Sequence, residues 1–268
     1  KATAGTLTHK IESDDIGLVI LKFKNGALGT IVATTSVFPH NLEGSVTVMG
    51  TKGTAKVGGV ALNKMDLSPL ADYHTFGLNK IFLIFEKVDL NLSYLVCVNK
   101  LVTEQAHKNF EDIYCPVFLS HTAAEGVVAK KSHIHRLHTL NVWSFYEDIA
   151  QPICEGNTVT YVAMQIAYYM GFKRVFLIGV DHSFKQTGKS HETQVYEGDD
   201  ENHFHPDYFK GMKWQLADVY GSEVSYHLAN YHFQKDERQI FDATVGGKLD
   251  IFPKVLFEKA LGIAKRKR

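Results

Sequence analysis

The chain has 268 residues, 45% of them apolar and 22% charged, with Lys plus Arg and Asp plus Glu at 29 each. That is long enough for one large or two modest domains of ordinary globular composition, and it offers no global basic field to draw nucleic acid or a membrane surface. Cys97, Cys115 and Cys154 are odd in number and widely spaced, which excludes a disulfide framework or zinc pattern and fits a reducing cytoplasm.

No signal peptide or apolar stretch long enough to span a bilayer is visible. The chain begins at Lys1 rather than Met, as a piece of something longer would. Residues 1–62 have the pattern of strands and hairpins. Asp15–Lys24 is strongly apolar, Asn25-Gly26 suits a tight hairpin turn, and Ala27–Phe38 is the return strand. A second hairpin pairs Ser45–Met49 with Thr54–Val57 through Gly50-Thr51-Lys52-Gly53. Four strands without a helix leave one sheet face uncovered, so this segment is expected to pack on the rest of the chain or on a second copy.

From Asn63 the pattern changes to alternating strands and helices, which predicts a Rossmann-like, doubly wound, mostly parallel α/β sheet. Lys80–Phe85, Tyr94–Val98 and Pro116–Leu119 are the apolar runs expected of buried strands, with a helix over Leu101–Phe110 between the second and third. His121–Asn141 is polar and rich in histidine, as in a loop or lid, and Val142–Ala150 suggests a short helix. Further on, the pattern predicts a helix over Pro206–Tyr220, strands at Glu223–Leu228 and Ile240–Thr244, and a last helix near Phe252–Leu261.

The strongest signal lies at Asn157–Phe184. Val159, Val162, Ala163, Ile166, Ala167 and Met170 form one apolar helical stripe, Gly171 supplies a left-handed stop, and Val175–Val180 is a continuous apolar strand. The helix rises about 20 Å and the strand returns about 25 Å. Thr158 and Asp181 should therefore share the edge made by strand C-termini and helix N-termini, where open α/β sheets bind ligands and where free N–H groups favour phosphate.

Candidate site residues follow from that edge. Asp181, with His182 beside it, could hold Mg²⁺ and phosphate or ribose hydroxyls, although an aspartate there equally caps a turn. Thr158 and Thr160 open the helix, as plain caps or as phosphate contacts. Asn79 and Asn99, placed at the start of one strand and the end of another, could contact a base or phosphate or simply terminate a turn. His205, in His203-Phe204-His205-Pro206-Asp207, is a candidate general acid or base or a structural loop histidine.

Other motifs are weaker. Glu197–Glu201 is an acidic loop without cation-loop spacing, and His133, His135 and His138 lack a fourth ligand. Thr187-Gly188-Lys189-Ser190 lacks the first glycine of a P-loop, Gly246-Gly247-Lys248 suits a tight turn with Lys248 near a phosphate, and Lys265–Arg268 suits a solvated tail.

Two resemblances add to these readings. DIGLVILKFKNGALGTIVATTSVFP and GSVTVMGTKGTAKVGG, within residues 1–62, resemble part of the C-terminal domain of the Gfo/Idh/MocA oxidoreductases. Neither GxGxxG nor Glu-Lys-Pro accompanies them, so no NAD is expected, and an NAD-dependent oxidoreductase fragment is the weakest alternative. Residues 63–262, through MDLSPL, HTFGLNKIFLIF, YLVCVNKLVTEQ, GFKRVFLIGVDHSF, NHFHPDYF and IFDATVGGKLDIFPKV, resemble the 6-hydroxymethylpterin diphosphokinase MptE-like family. More distantly they are similar to bacterial CMP-sialic acid sialyltransferases.

The second resemblance implies a nucleotide-dependent transferase. It would move diphosphate from ATP to a hydroxymethylpterin-like acceptor with Mg²⁺ at Asp181, or act in surface glycan synthesis. A CMP-sugar-dependent glycosyltransferase, with His205 as the proton-transfer residue and Asn79 and Asn99 on the nucleotide, is one alternative. A non-catalytic interaction protein is another. Gly58-Gly59-Val60-Ala61-Leu62 stands where those families carry an Asn-Gly-Pro-Ser-Leu phosphate loop, leaving Gly58 and Gly59 as its nucleotide-binding remnant.

Overall fold

The computed structural model describes residues 2–5, 16–22, 28–34, 45–50, 53–58, 66–88, 90–184, 186–197, 200, 202–205 and 207–264. The chain divides into two compact units, Lys1–Gly59 and Val60–Arg268. In the first, β1 (Ala2–Gly5), β2 (Ile16–Lys22) and β3 (Leu28–Thr34) form an antiparallel sheet in that order, and β4 (Ser45–Gly50) pairs with β5 (Gly53–Gly58) as a hairpin. The predicted turn residues Asn25-Gly26 and Thr51-Lys52 lie outside the described residues. Leu18 and Ile20 alternate along β2, so they share one face, and both are exposed.

The second unit is α/β and Rossmann-like. Its principal sheet is parallel, in the order β6 (Phe76–Leu78), β7 (Tyr94–Cys97), β8 (Val117–Ser120), β9 (Ile134–Leu137). Alternation along β7 and β8 sends Leu95, Cys97, Val117 and Leu119 into one apolar cluster, which also holds Val102, Ala106 and Phe110 of α1 (Lys100–Asp112). Val96, Val98 and Phe118 enter another with Val162, Ala163 and Ile166 of α3 (Val159–Tyr169). The sheet is thus covered on both faces, which is why every residue of β7 and β8 but Tyr94 is buried.

Short elements link these layers. They are α2 (His121–Ala124), the parallel pair β10 (Thr139–Leu140) and β11 (Ile153–Cys154), and the antiparallel pair β13 (Thr193–Val195) and β14 (Lys213–Gln215). β12 (Arg174–Leu177) pairs in parallel with β15 (Gln239–Asp242), and α4 (Val219–Lys235) and α5 (Phe257–Ile263) complete the unit.

The predicted centre of the chain folds as helix, stop and strand, with the strand ending at Leu177 rather than Val180. α3 starts at Thr158, whose side chain accepts a hydrogen bond from Thr160 N–H at 3.3 Å. It ends at Gly171, where φ is +80°. There Gly171 N–H donates to Tyr168 and Phe172 N–H to Ala167, closing the last turn. The sharp stop returns the chain directly into β12.

Several predicted elements differ. Lys80–Phe85 is not a strand. β6 lies earlier, Asn79 adopts φ +49°, and Ile81–Ile84 forms a 3₁₀ turn whose side chains fill the core that a strand would have filled. Asn79 therefore ends its strand rather than starting it. The His121–Asn141 segment is no simple loop, since it supplies α2 and the edge strand β9. His135 and Arg136 in that strand hid its apolar alternation. Val142–Ala150 is irregular, and the Pro206–Tyr220 segment contains β14 rather than a helix.

Glu223–Leu228 lies inside α4. The core-facing positions of that helix are Gly221, Ser222, Ser225, Tyr226, Ala229 and Phe233, and small hydroxyl residues mask the helical stripe. The last helix begins five residues later than expected, at Phe257. Among the described residues, no helix is long and apolar enough to cross a membrane.

Candidate functional site

A cavity of about 950 Å³ is lined by β6 and β12 along their length and by the residues that follow their C-terminal ends. Its lining includes Thr158 and Asp181, as the helix–strand geometry anticipates, together with Thr160, His182 and Asn79. Asn99 does not line it. Its Oδ1 accepts from Val102 N–H at 3.1 Å and its amide reaches Gln215, so it caps α1. His205 is not on the lining either, and its Nδ1 accepts from Asp207 N–H at 3.2 Å, whereas the neighbouring His203 and Phe204 do face the cavity. Gly58 ends β5 in the first unit, paired with Ser45, and Gly59 lies outside the described residues.

The loop after β12 is held from below by the loop after β15. Val180 N–H donates to Thr244 Oγ1 at 3.1 Å, and Lys248 N–H donates to the Asp181 carbonyl at 2.8 Å. Gly179 (φ +73°) and His182 (φ +52°) both take left-handed backbone, which swings Asp181 and His182 towards the cavity. Such backbone is uncommon for a histidine, and the two anchoring bonds explain how it is kept.

The Asp181 carboxyl is raised above its ordinary value although the residue is exposed. Surrounding protein is the main cause, and the buried Asp242 adds like charge. Asp242 itself is fully buried and held by Lys254 Nζ at 2.5 Å. A cation or phosphate-bound metal beside Asp181 would relieve the penalty on its ionised form. Among the described residues no group of three His, Cys, Asp or Glu is placed to hold a metal ion. Mg²⁺ at Asp181 would thus take most of its ligands from water and phosphate oxygens, the usual pattern for this ion.

His182 Nε2 lies 3.0 Å from Glu223 Oε1, and its ring meets the Tyr226 ring edge-on at 5.9 Å. With Nε2 donating to the carboxylate, Nδ1 is an acceptor without a partner among the described residues, which is the arrangement of an oriented base. Tyr226 lines the same cavity, with its hydroxyl 3.4 Å from Thr158 Oγ1. The Asn79 side-chain oxygen is buried without a hydrogen-bonding partner among the described residues. A buried acceptor left unpaired costs free energy, so a donor from a ligand would be favoured there.

Glu223, Tyr226 and Ser222 escaped the sequence reading. Asp218, which caps α4 by accepting from Gly221 N–H at 2.9 Å, was the available signal. Read as an N-cap, it places those three in the first turns of a helix directed at the same sheet edge.

The other motifs separate in space. His133 Nε2 contacts the Phe110 carbonyl at 3.2 Å, His135 stacks on Phe118, and His138 stacks on His121. In the acidic loop Asp200 is buried against His203 at 2.9 Å, and residues 198, 199 and 201 lie outside the described residues.

Comparison with known proteins bears on the first unit. Residues 1–56 match the family model of the GFO/IDH/MocA C-terminal domain. That stretch is what the start of the chain is similar to, and it is too short a share of 268 residues to place the whole. No curated protein and no solved structure matches the chain.

Proposed function

We propose that residues 63–268 form a nucleotide-dependent transferase of the MptE-like type, moving diphosphate from ATP to a hydroxymethylpterin-like acceptor or serving surface glycan synthesis. The observation that carries this reading is the convergence of Thr158, Thr160, Asp181 and His182 on one cavity rim. The N-terminus of α3 presents N–H groups to phosphate oxygens. Asp181 is the residue to hold Mg²⁺, which when bound would offset phosphate charge. His182, oriented by Glu223, accepts the proton of the attacking hydroxyl at Nδ1. Asn79 contributes to nucleotide recognition through its unpaired oxygen.

The CMP-sugar alternative needs His205 at the reacting atoms, and His205 lies off the cavity lining, which favours the ATP reading. Self-association through the residue 1–62 sheet forms part of the proposal, supported by the exposed Leu18 and Ile20, and a clean monomer in solution mass measurement would count against it. A cytoplasmic setting fits three buried free cysteines.

The test is a melting-temperature titration of the full chain. Mg²⁺-ATP at about 100 Kd should stabilise by about 2.7 kcal/mol. Asp181→Asn should remove the dependence on Mg²⁺. A rise with CMP-sugar alone would transfer the assignment to glycosyl transfer, and no rise with either nucleotide would refute both.

A further inference from the structure

The cavity is more than a cleft at a sheet edge, because two strand edges form its walls. Every residue of β6 and every residue of β12 lines it. Among the described residues each strand is paired on its other side only, β6 with β7 and β12 with β15. The starts of the two strands lie side by side. Phe172, just before β12, meets His74 and Phe76 at the start of β6 with ring centroids 5.4 and 5.8 Å apart. Asn79 and Asp181, which follow the ends of the two strands, both line it.

Backbone alternation shows which groups face the slot. Asn79 N–H donates to Val96, and the Thr75 carbonyl accepts from Tyr94. Residues 75, 77 and 79 therefore turn towards β7, and Phe76 and Leu78 turn their N–H and C=O the other way. Likewise the Lys173 and Leu177 carbonyls accept from Gln239 and Ala243, leaving the backbone of Arg174 and Phe176 towards the slot. Two rows of rungs, without partners among the described residues, border the same space.

The faces of the slot are apolar. Ala163, Met164 and Ala167 of α3 close one, and Leu67, Leu70 and Leu92 contribute the other. Phe76, Leu78, Val175 and Phe176 are only partly buried beside it, unlike the fully paired strands. Removing one strand from a parallel sheet leaves about 10 Å between its neighbours, twice the normal spacing.

From these four features we infer that the slot receives a β-strand from a partner polypeptide: an extended, apolar segment of about five residues, parallel to β6 and β12. Backbone rungs on both edges and apolar cover on both faces specify that occupant, since a strand buried on all sides has apolar side chains at every position. Among the described residues of this unit, each strand already has another partner and none enters the slot. The C-terminal end of the inserted strand would emerge beside Asn79, Thr158 and Asp181. The inference is independent of the transferase reading, because strand insertion is read by amide protection and nucleotide binding by melting temperature.

The experiment is amide hydrogen exchange, resolved by residue, on the full chain with a synthetic peptide of five alternating Val and Ile residues carrying an N-terminal lysine tail. The amides of Phe76, Leu78, Arg174 and Phe176 should slow by about tenfold or more, and amides of β8 should not change. The same peptide N-methylated at alternate residues should give no protection, because it cannot complete the rungs. Equal protection by both peptides, or by neither, overturns the inference. Protection already complete in the monomeric chain without peptide would show the slot filled in cis and overturn a partner strand. Protection that grows with chain concentration would assign the slot to a second copy instead of a foreign partner.

Discussion

Val117-Phe118-Leu119 in β8 and Val175-Phe176-Leu177 in β12 are the same tripeptide in two parallel strands of one unit. In β8, paired on both edges, all three residues are 6% exposed or less. In β12, paired on one edge, only Leu177 is buried, at 7% exposure, and Val175 and Phe176 are partly open. The difference lies in the neighbours and not in the residues. A strand-like apolar run states that burial is available, and sheet pairing decides whether it is completed.

The largest effect that would test this contrast is Phe118→Ala against Phe176→Ala. The first should cost about 3–5 kcal/mol, as a buried aromatic does. The second should cost less by about 1 kcal/mol or more, because part of the Phe176 surface is already wet and the ring packs chiefly by stacking on Phe241. Both tryptophans, Trp143 and Trp214, lie in this unit, so urea unfolding followed by their fluorescence reports it separately. Equal costs would erase the contrast.

Next in size is Gln165, fully buried in the helix that covers β6 and β7. Its Oε1 accepts from Tyr146 N–H at 3.1 Å and its Nε2 donates to the Cys154 carbonyl at 2.7 Å. Gln165→Leu should cost about 2–3 kcal/mol through the stranded backbone groups, read by the same fluorescence. A neutral result would mean that α3 is held by apolar contact alone.

Thr158→Ala removes the α3 cap and should cost about 1 kcal/mol, together with weaker stabilisation by Mg²⁺-ATP. A cost without any change in nucleotide response would leave Thr158 a cap only.

Asp181→Asn should give the smallest change, a rise of about one degree in melting temperature at neutral pH. The raised Asp181 carboxyl means that the folded chain holds that proton more tightly than the unfolded chain does. Ionisation therefore opposes folding above the folded value, and the gain from the amide should vanish as pH falls below the ordinary carboxylate range. A gain that persists in acid would need another cause.

Much of the unit was legible in sequence where local rules and tertiary burial agree. The α3 stripe, Gly171 and the following apolar run specified helix, stop and strand. The convergence of Thr158 and Asp181 followed from helix rise and strand return alone. Legibility failed where they disagree. Phe82 and Leu83 read as a strand yet pack as a turn, and α4 presents Gly221, Ser222 and Ser225 to the core, where a stripe of large residues would have been recognised. Glu223 was missed with that helix. The slot had no local signature, because which strands pair is a property of the assembled sheet.

The three cysteines, all buried and unpaired, make this unit carry its own opening reporters. They sit at the end of β7, immediately ahead of β8, and in β11. Burial pushes the Cys97 thiol up to about 12 and raises Cys115 as well. A thiol reagent reacts with the thiolate, so alkylation at neutral pH must wait for each segment to expose its sulfur. Mass-resolved labelling rates at the three positions would then time separate breathing events in two sheets, with no label or substitution added to the chain.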